Sequence, residues 1–309
     1  MRRTLACLLL TLPLLAAAQA PAPQPAPAPQ PAPAAPAAAP RPAIAVTKVE
    51  GTDHVYIFRN VNHQSIFIVT PAGVIATDPV AYGRPTGGQQ YVDAIRSVTS
   101  QPIRYLVYSH HHFDHIAGGK AFKDAGATIV AHRRVRERLA PIADPHTPLP
   151  DEVFGDEGRT LSLGGTTLEL KYLGANHSDT NIVMLLPREK LAFIVDTIPV
   201  GQVPARGMID FYPVEAEEFI RRVMALDFDR FIPGHPGVGD RLGTKKDAAD
   251  QLKLLQAASS EMKKLAQEGK CWDTAEKEFK LPGYEDWPGY AAGVPFIARR
   301  YCSYWGRGT

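Results

Sequence analysis

The run His110-His111-His112-Phe113-Asp114-His115 constrains this chain more than any other feature. It follows Ile103-Arg104-Tyr105-Leu106-Val107-Tyr108, a β-branched and aromatic run after Pro102 that reads as a buried strand emptying into a loop. The pattern His-x-His-x-Asp-His puts imidazole nitrogens and a carboxylate within six residues. These donors suit zinc and similar divalent ions, and one short loop can aim several of them at a single point. The plain alternative is a polar surface loop with incidental histidines, and the other strand ends decide between the two.

Three later strand ends carry the same chemistry. A strand over Thr166 to Leu173 runs into Gly174-Ala175-Asn176-His177-Ser178-Asp179, and a strand over Lys190 to Val195 ends in Asp196. Phe231-Ile232-Pro233 delivers Gly234-His235-Pro236-Gly237. Taken singly, each is an ordinary turn residue. Delivered from strand ends to one face of a sheet, they can converge although they are far apart in sequence.

The rest of the chain supplies a layered scaffold. Strands are expected over Ala45 to Val49, His54 to Phe58, Ser65 to Thr70 and Val74 to Thr77, with Pro71-Ala72-Gly73 turning the last two into a hairpin. Pro85 to Thr99 reads as a helix, Ile116 to Ala125 as a short one, Thr128 to Ala131 as a strand and Arg133 to Leu139 as another helix. Ala140 to Asp156 is proline-rich and without period, the mark of a functional flap or a disordered excursion. Further strands are expected over Thr160 to Leu163 and Thr180 to Leu186. Helices over Val214 to Ala225 and Thr244 to Glu268 follow, the second with Leu252, Leu255, Met262 and Leu265 on one stripe. The aromatic tail after Cys271 reads as packing for the C-terminal elements. Mixed helices and strands of this kind place the chain in a layered α/β or α+β class.

The N-terminal region has a different character. Met1-Arg2-Arg3, the apolar run Leu5 to Leu15 and Ala16-Ala17-Ala18 make a secretory signal peptide over residues 1–18, with Cys7 inside its apolar core. The apolar run is too short to span a bilayer, so no stable membrane insertion is expected after cleavage. Residues 19–43 are almost purely proline and alanine, an extended spacer of roughly 70 Å at about 3.1 Å per residue. Residues 44–309 remain as one domain in the periplasm or outside the cell. The net charge of +2 loses Arg2 and Arg3 with the leader and falls to about zero, so charge does not suggest a nucleic-acid partner. The basic cluster Arg133-Arg134-Val135-Arg136-Glu137-Arg138 reads as a solvated helix face. Cys271 and Cys302 are the remaining cysteines and, in an oxidising compartment, are expected to form a disulfide.

From roughly Ala45 to Gly239 the chain resembles the metallo-β-lactamase-fold hydrolase superfamily. The resemblance is carried by Asp78, Ser109 to His115, Gly174 to His177, Asp196 and Gly234-His235. It implies an α+β fold, a four-layer αβ/βα sandwich with metals at the sheet edge. It also implies that His110, His112 and His177 bind a first metal, that Asp114, His115 and His235 bind a second, and that Asp196 bridges them. Seven N/O donors are too many for one tetrahedral zinc and suit two ions about 3.5–4 Å apart that share a water and acidify it. The expected cofactor is two Zn2+ per chain, with iron and manganese as the other candidates. Asp78 would brace the histidine loop, Asn176, Asn181 and Ser109 would orient ligands, and His111 would point away.

Fold alone does not give the substrate. Asp196 is the bridging carboxylate of glyoxalase II-like and lactonase-like hydrolases, where secreted zinc β-lactamases carry Cys or Ser. Thr197-Ile198-Pro199 replaces the tyrosine that quorum-quenching lactonases place after this Asp, leaving Tyr82, Tyr108 or Tyr212 as substitutes. A glutathione thioesterase is mainly a cytosolic enzyme, which the leader argues against. Asp114-His115-Ile116-Ala117-Gly118 matches the Asp-His-x-x-Gly of RNA-processing relatives, yet those are not exported. His112 stands where flavodiiron-type relatives have Glu. The expectation is therefore an exported dinuclear zinc hydrolase that opens an ester, lactone or amide bond, β-lactams included, in a small molecule, with Asp114 essential. Two other readings stand beside it. One is a persulfide dioxygenase with a single iron on His110, His177 and Asp196. The other is a metal-stabilised binding protein without turnover.

Overall fold

Long apolar runs with burial on both faces organise the molecule into layers. In the computed structural model, which describes residues 42–309, Pro42–Thr309 forms one compact unit. The expected leader and most of the expected spacer lie outside the described residues. Strands β1 (Ile44–Lys48), β2 (Val55–Asn60), β3 (His63–Thr70) and β4 (Gly73–Thr77) form an antiparallel meander. Helix α1 (Gly87–Val98) leads to β5 (Ile103–Val107), which joins β4 in parallel. Helices α2 (Phe113–Ile116) and α3 (Gly119–Asp124) precede β6 (Thr128–His132), and α4 (Arg133–Leu139) precedes β7 (Glu152–Phe154). The result is a seven-stranded sheet in the order β1-β2-β3-β4-β5-β6-β7.

A second sheet is built from β8 (Arg159–Leu163), β9 (Thr166–Lys171), β10 (Val183–Leu186), β11 (Leu191–Ile194) and β12 (Arg230–Pro233). Its order is β12-β11-β10-β9-β8, with β11 and β12 parallel and joined through helix α5 (Pro213–Ala225). Helices α6 (Lys245–Gln267), α7 (Asp273–Glu278) and α8 (Tyr290–Arg307) complete the chain.

Successive strand residues point to opposite faces, so one run feeds two cores. Ile66, Ile68, Ile75, Val107 and Val130 of the first sheet meet Leu168, Met184, Leu186, Phe193 and Ile232 of the second in a central core. Their neighbours Phe67, Val74, Ala76, Leu106 and Ile129 face Tyr91, Ile95, Phe122 and Val135 of the helices outside. On the far side Val183, Leu185, Ala192, Ile194 and Phe231 pack on Phe219, Ile220, Leu255, Met262 and Tyr301. Three cores define four layers, αβ/βα, the expected α+β sandwich. Emptying any one of them, as Phe193→Ala would, costs about 3–5 kcal/mol.

Several local expectations need correction. Of the helix expected over Ile116 to Ala125 only Gly119–Asp124 is a full helical piece, set off from the turn Phe113–Ile116 where Gly118 takes a φ of 94°. The strand expected from Thr180 begins at Val183, because Thr180 and Asn181 spend their side chains on loop hydrogen bonds instead of extending the ladder. Ala140 to Asp156 is neither a flap nor an excursion. Pro148 O accepts from the Tyr108 hydroxyl at 3.2 Å, His146 O accepts from Lys120 N, and Asp151 accepts from Ile129 N at 3.0 Å, pinning the segment to the outer layer. Its end pairs as edge strand β7. Cys271 and Cys302, expected to pair, stand here as free thiols. They lie side by side, and burial, reinforced by the Cys271 thiol, pushes the Cys302 thiol up to about 12. No helix among the described residues is long and apolar enough to cross a membrane.

Candidate metal centre

The carboxyl ends of parallel strands and the loops beyond them bring the sequence-predicted donors together. Beyond β5 the chain passes Ser109, whose N–H donates to Asp78 Oδ1 at 2.8 Å and whose carbonyl accepts from Ile182 N at 3.0 Å. Asp78, fully buried after β4, thus braces the histidine loop from one side and the second sheet braces it from the other. Burial pushes Asp78 up to about 6. His110 and His111 then lie in a bend, His112 is extended, and the single turn α2 swings Asp114 and His115 around.

Across from this loop, Asn176, Asn181 and Thr197 form a buried triangle. Asn176 Oδ1 accepts from His177 N at 2.6 Å and from Asn181 Nδ2 at 2.9 Å, while Asn181 Nδ2 also reaches Val195 O at 2.8 Å. This fixes the loops that carry His177 and Asp196 against each other. Asp196 itself has a φ of 61°, a left-handed conformation that costs a non-glycine residue about 1–3 kcal/mol and is characteristic of functional sites. The turn points its carboxylate back over the strand end. Gly234 leaves the room, since a Cβ there would lie 2.9 Å from Asp196 Oδ1 and 2.7 Å from Val195 Cγ1.

The donors fall into two groups that share Asp196. His110, His112 and His177 form one, with His112 Nδ1 and His177 Nε2 2.9 Å apart. Asp114, His115 and His235 belong to the other. Asp196 Oδ2 lies 3.9 Å from His110 Nε2, 3.4 Å from His177 Nε2 and 3.0 Å from His115 Nε2, and Oδ1 lies 3.3 Å from His235 Nε2. The ring nitrogens that face outward are held separately. His110 Nδ1 pairs with Ser109 Oγ at 2.8 Å, His112 Nε2 with Asp210 Oδ2 at 2.8 Å and His235 Nδ1 with Asn62 O at 2.7 Å. Such partners fix ring orientation at metal sites.

The donor set fits a divalent metal. His110 Nε2, His115 Nε2 and Asp196 Oδ1 are buried without hydrogen-bond partners and face the shared space. Natural proteins leave few buried polar atoms unsatisfied, and cations held between the two groups would satisfy all three. The donors' own charges and burial set their protonation unevenly. Burial would lower His115, but Asp196 and Asp114 outweigh it and push the imidazole up to about 9. Burial takes His177 down to about 4. Asp114 resists burial through His63 and His115 and falls to about 2.

Two members of the cluster were not expected from sequence. His63, at the start of β3, groups with Asp114, His115 and His235. Asp210, in the loop before α5, holds His112 and groups with His111 and His112. His111 otherwise pairs with Thr180 Oγ1 at 2.9 Å. Of the tyrosines offered as helpers, Tyr108 is fully buried with its hydroxyl on Pro148 O, and Tyr82 is exposed, stacked over Phe113.

This fold, with His and Asp donors gathered at its strand ends, defines the class of protein to which the chain belongs. The chain belongs to the metallo-β-lactamase superfamily, whose family model matches residues 62–235. It is 28% identical over 174 residues to a 2,4-dinitroanisole O-demethylase subunit alpha of Nocardioides sp. (strain JS1661), covering 56% of this chain and 52% of that protein. It is 25% identical over 160 residues to a type 2 metallo-β-lactamase of Bacillus sp. (strain 170), covering 50% of this chain and 59% of that one. The match thus spans only about half the length of these relatives. Among solved structures, a metallo-β-lactamase from Pontibacter korlensis superposes with a TM-score of 0.61 at 22% identity, over 69% of this chain and 99% of that chain. The sec-alkylsulfatase Pisa1 from Pseudomonas sp. superposes with a TM-score of 0.67 at 17% identity, over 84% of this chain and 50% of that chain. At these identities the likeness shows the fold.

Proposed function

We propose that the protein is an exported dinuclear zinc hydrolase that cleaves an ester, lactone or amide bond of a small molecule. The observation that carries the reading is Asp196, a single carboxylate within 3.0–3.9 Å of imidazole nitrogens from both donor groups. His110, His112 and His177 would hold one ion, and Asp114, His115 and His235 the other, with Asp196 shared. Two such ions supply Lewis acidity toward a substrate carbonyl oxygen and an acidified water as nucleophile. The chain's own part is orientation: Ser109, Asp210 and Asn62 aim the imidazoles, and the Asn176-Asn181-Thr197 triangle holds two ligand loops in register. All donors are nitrogen or oxygen, which suits zinc, with iron and manganese next. Export rests on the leader sequence at residues 1–18. A one-iron persulfide dioxygenase would use His110, His177 and Asp196 and leave the group around Asp114 without a task.

The test is a panel of esters, lactones, lactams and phosphoesters run on zinc-replete mature protein, with bound metal measured in parallel. The relatives' names add 2,4-dinitroanisole and a secondary alkyl sulfate to it. About two zinc per chain with hydrolysis of one class is expected, and Asp114→Ala should abolish turnover and remove about one ion. One iron per chain with thiol-dependent oxygen uptake would replace this reading with the dioxygenase. A fully metallated protein inert across the panel would point to a binding protein.

A further inference from the structure

We infer that His63 is a metal-binding side chain of the second position, joining Asp114, His115 and His235 there. The inference rests on the two-ion reading and adds a donor that no spacing within the histidine loop announces. What places His63 is a hairpin. Val61 and Asn62 turn β2 into β3, Val61 with a φ of 59°, and His63 opens β3 opposite Asn60. Hydrogen bonds then fasten this turn to the end of β12. Gln64 N donates to Gly234 O at 2.7 Å, Gln64 Nε2 donates to Pro233 O at 3.0 Å, and His235 Nδ1 meets Asn62 O at 2.7 Å. Arg59 adds an ion pair to Asp240 at 3.1 Å. A hairpin of the first sheet is thereby clamped on the loop of the second sheet that carries His235. The His63 ring ends 4.5 Å from that of His235 and 5.5 Å from that of His115.

His63 is only 8% exposed, so its ring nitrogens need partners. Nε2 lies 3.3 Å from Asp114 Oδ2, and Nδ1 has no partner. One donor atom from each of His63, Asp114, His115 and His235 falls within 4.8 Å of the other three. That is close to the spread of ligands placed about 2.0–2.2 Å from a common ion. With Asp196 shared, the second position then offers five N/O donors, against four from His110, His112, His177 and Asp196 at the first. The two positions become unequal. The second, with five protein donors, suits a five- or six-coordinate ion, while the first, with four, suits a tetrahedral one.

The test needs no substrate. Metal-free wild type, His63→Ala and His63→Gln are titrated with Co(II) alone, and bound metal and visible absorption are followed together. Far-UV circular dichroism and melting of the metal-free proteins establish that each variant is folded, and His63→Gln keeps a polar partner for Asp114. The wild type should take two ions. In both variants the first ion should bind as in wild type and the second 10–100-fold more weakly, about the usual loss at such sites. The absorption of the second ion should also strengthen as its coordination number falls. An unchanged second affinity overturns the assignment of His63 and leaves the two-ion site standing. A weaker second ion with an unchanged spectrum also overturns ligation, because His63 would then only hydrogen-bond Asp114. A wild type that binds one ion overturns both readings.

Discussion

His112 shows how a single carboxylate can set a metal site from outside it. Its Nδ1 faces His177, and its Nε2 is held by Asp210 at 2.8 Å. An imidazole so held presents one tautomer and one ring orientation to the ion. Asp210→Asn keeps the shape and removes the charge. Metal affinity at the first position is expected to drop about 10–100-fold. The Asp210 side chain is about half exposed, at 48%, so folding stability should stay within about 0.5 kcal/mol of wild type. Zinc retention against a graded chelator, measured beside melting temperature, checks both halves, and undiminished retention would refute the positioning role. The sequence reading found the clustered residues that stand at strand ends in a shared pattern, His110 to His115, His177, Asp196 and His235. It missed His63 and Asp210, because each stands alone in its segment. His63 reaches the cluster only after Gln64 has bonded to Gly234, some 170 residues away in the chain. No local spacing encodes such a contact.

Helix α1 reaches the histidine loop through its glycines. A Cβ at Gly88 would stand 2.4 Å from Gly118 O and 3.2 Å from Gly118 Cα, both backbone atoms of the turn that ends α2. Gly88→Ala therefore forces apart α1 and the segment that carries Asp114 and His115. Overpacking of this kind costs about 1–3 kcal/mol, and the expected result is a lower melting temperature together with weaker metal binding at the second position. Loss of stability with metal binding intact would mean that the helix yields and not the loop. Helix α8 offers a separate test. Folded Cys302 keeps its proton up to about 12, so its contribution to stability is present below about 9 and is lost as pH rises from there. Cys302 is fully buried with its thiol pushed up, so alkylation of the folded chain should label half-buried Cys271 first, as peptide mass spectrometry would show. Element positions were legible where apolar runs were long and bounded by Gly or Pro. They were misjudged where side chains compete with the ladder, as at Thr180 and Asn181, and where an unpatterned segment is held by contacts from elsewhere, as at β7.

The four layers meet at the cluster, and that gives the metal a structural consequence. His110, His112, Asp114 and His115 follow β5 of the first sheet, while His177, Asp196 and His235 follow strands of the second. Elsewhere the sheets are joined by the apolar side chains of the central core and by the hydrogen bonds that tie the β2–β3 hairpin to the end of β12. The layered architecture was readable because both faces of its central strands are apolar; the relation of one sheet to the other was not, since it depends on convergence of the loops. An ion held by ligands from both sheets acts as a cross-link in the folded state and has little affinity for the unfolded chain. At a free concentration a hundred times its Kd, each ion adds about 2.7 kcal/mol, or about 5–10 °C in Tm for a domain of this size. Chelation should therefore lower Tm by about that amount per ion removed, and reloading should restore it. It also leaves His110 Nε2 and Asp196 Oδ1 buried without partners, so the chelated protein should exchange amide hydrogens faster in the loops after β5 and β11 than in the outer helices. Metal loss with unchanged Tm and unchanged exchange would mean that the loops alone hold the two sheets in register.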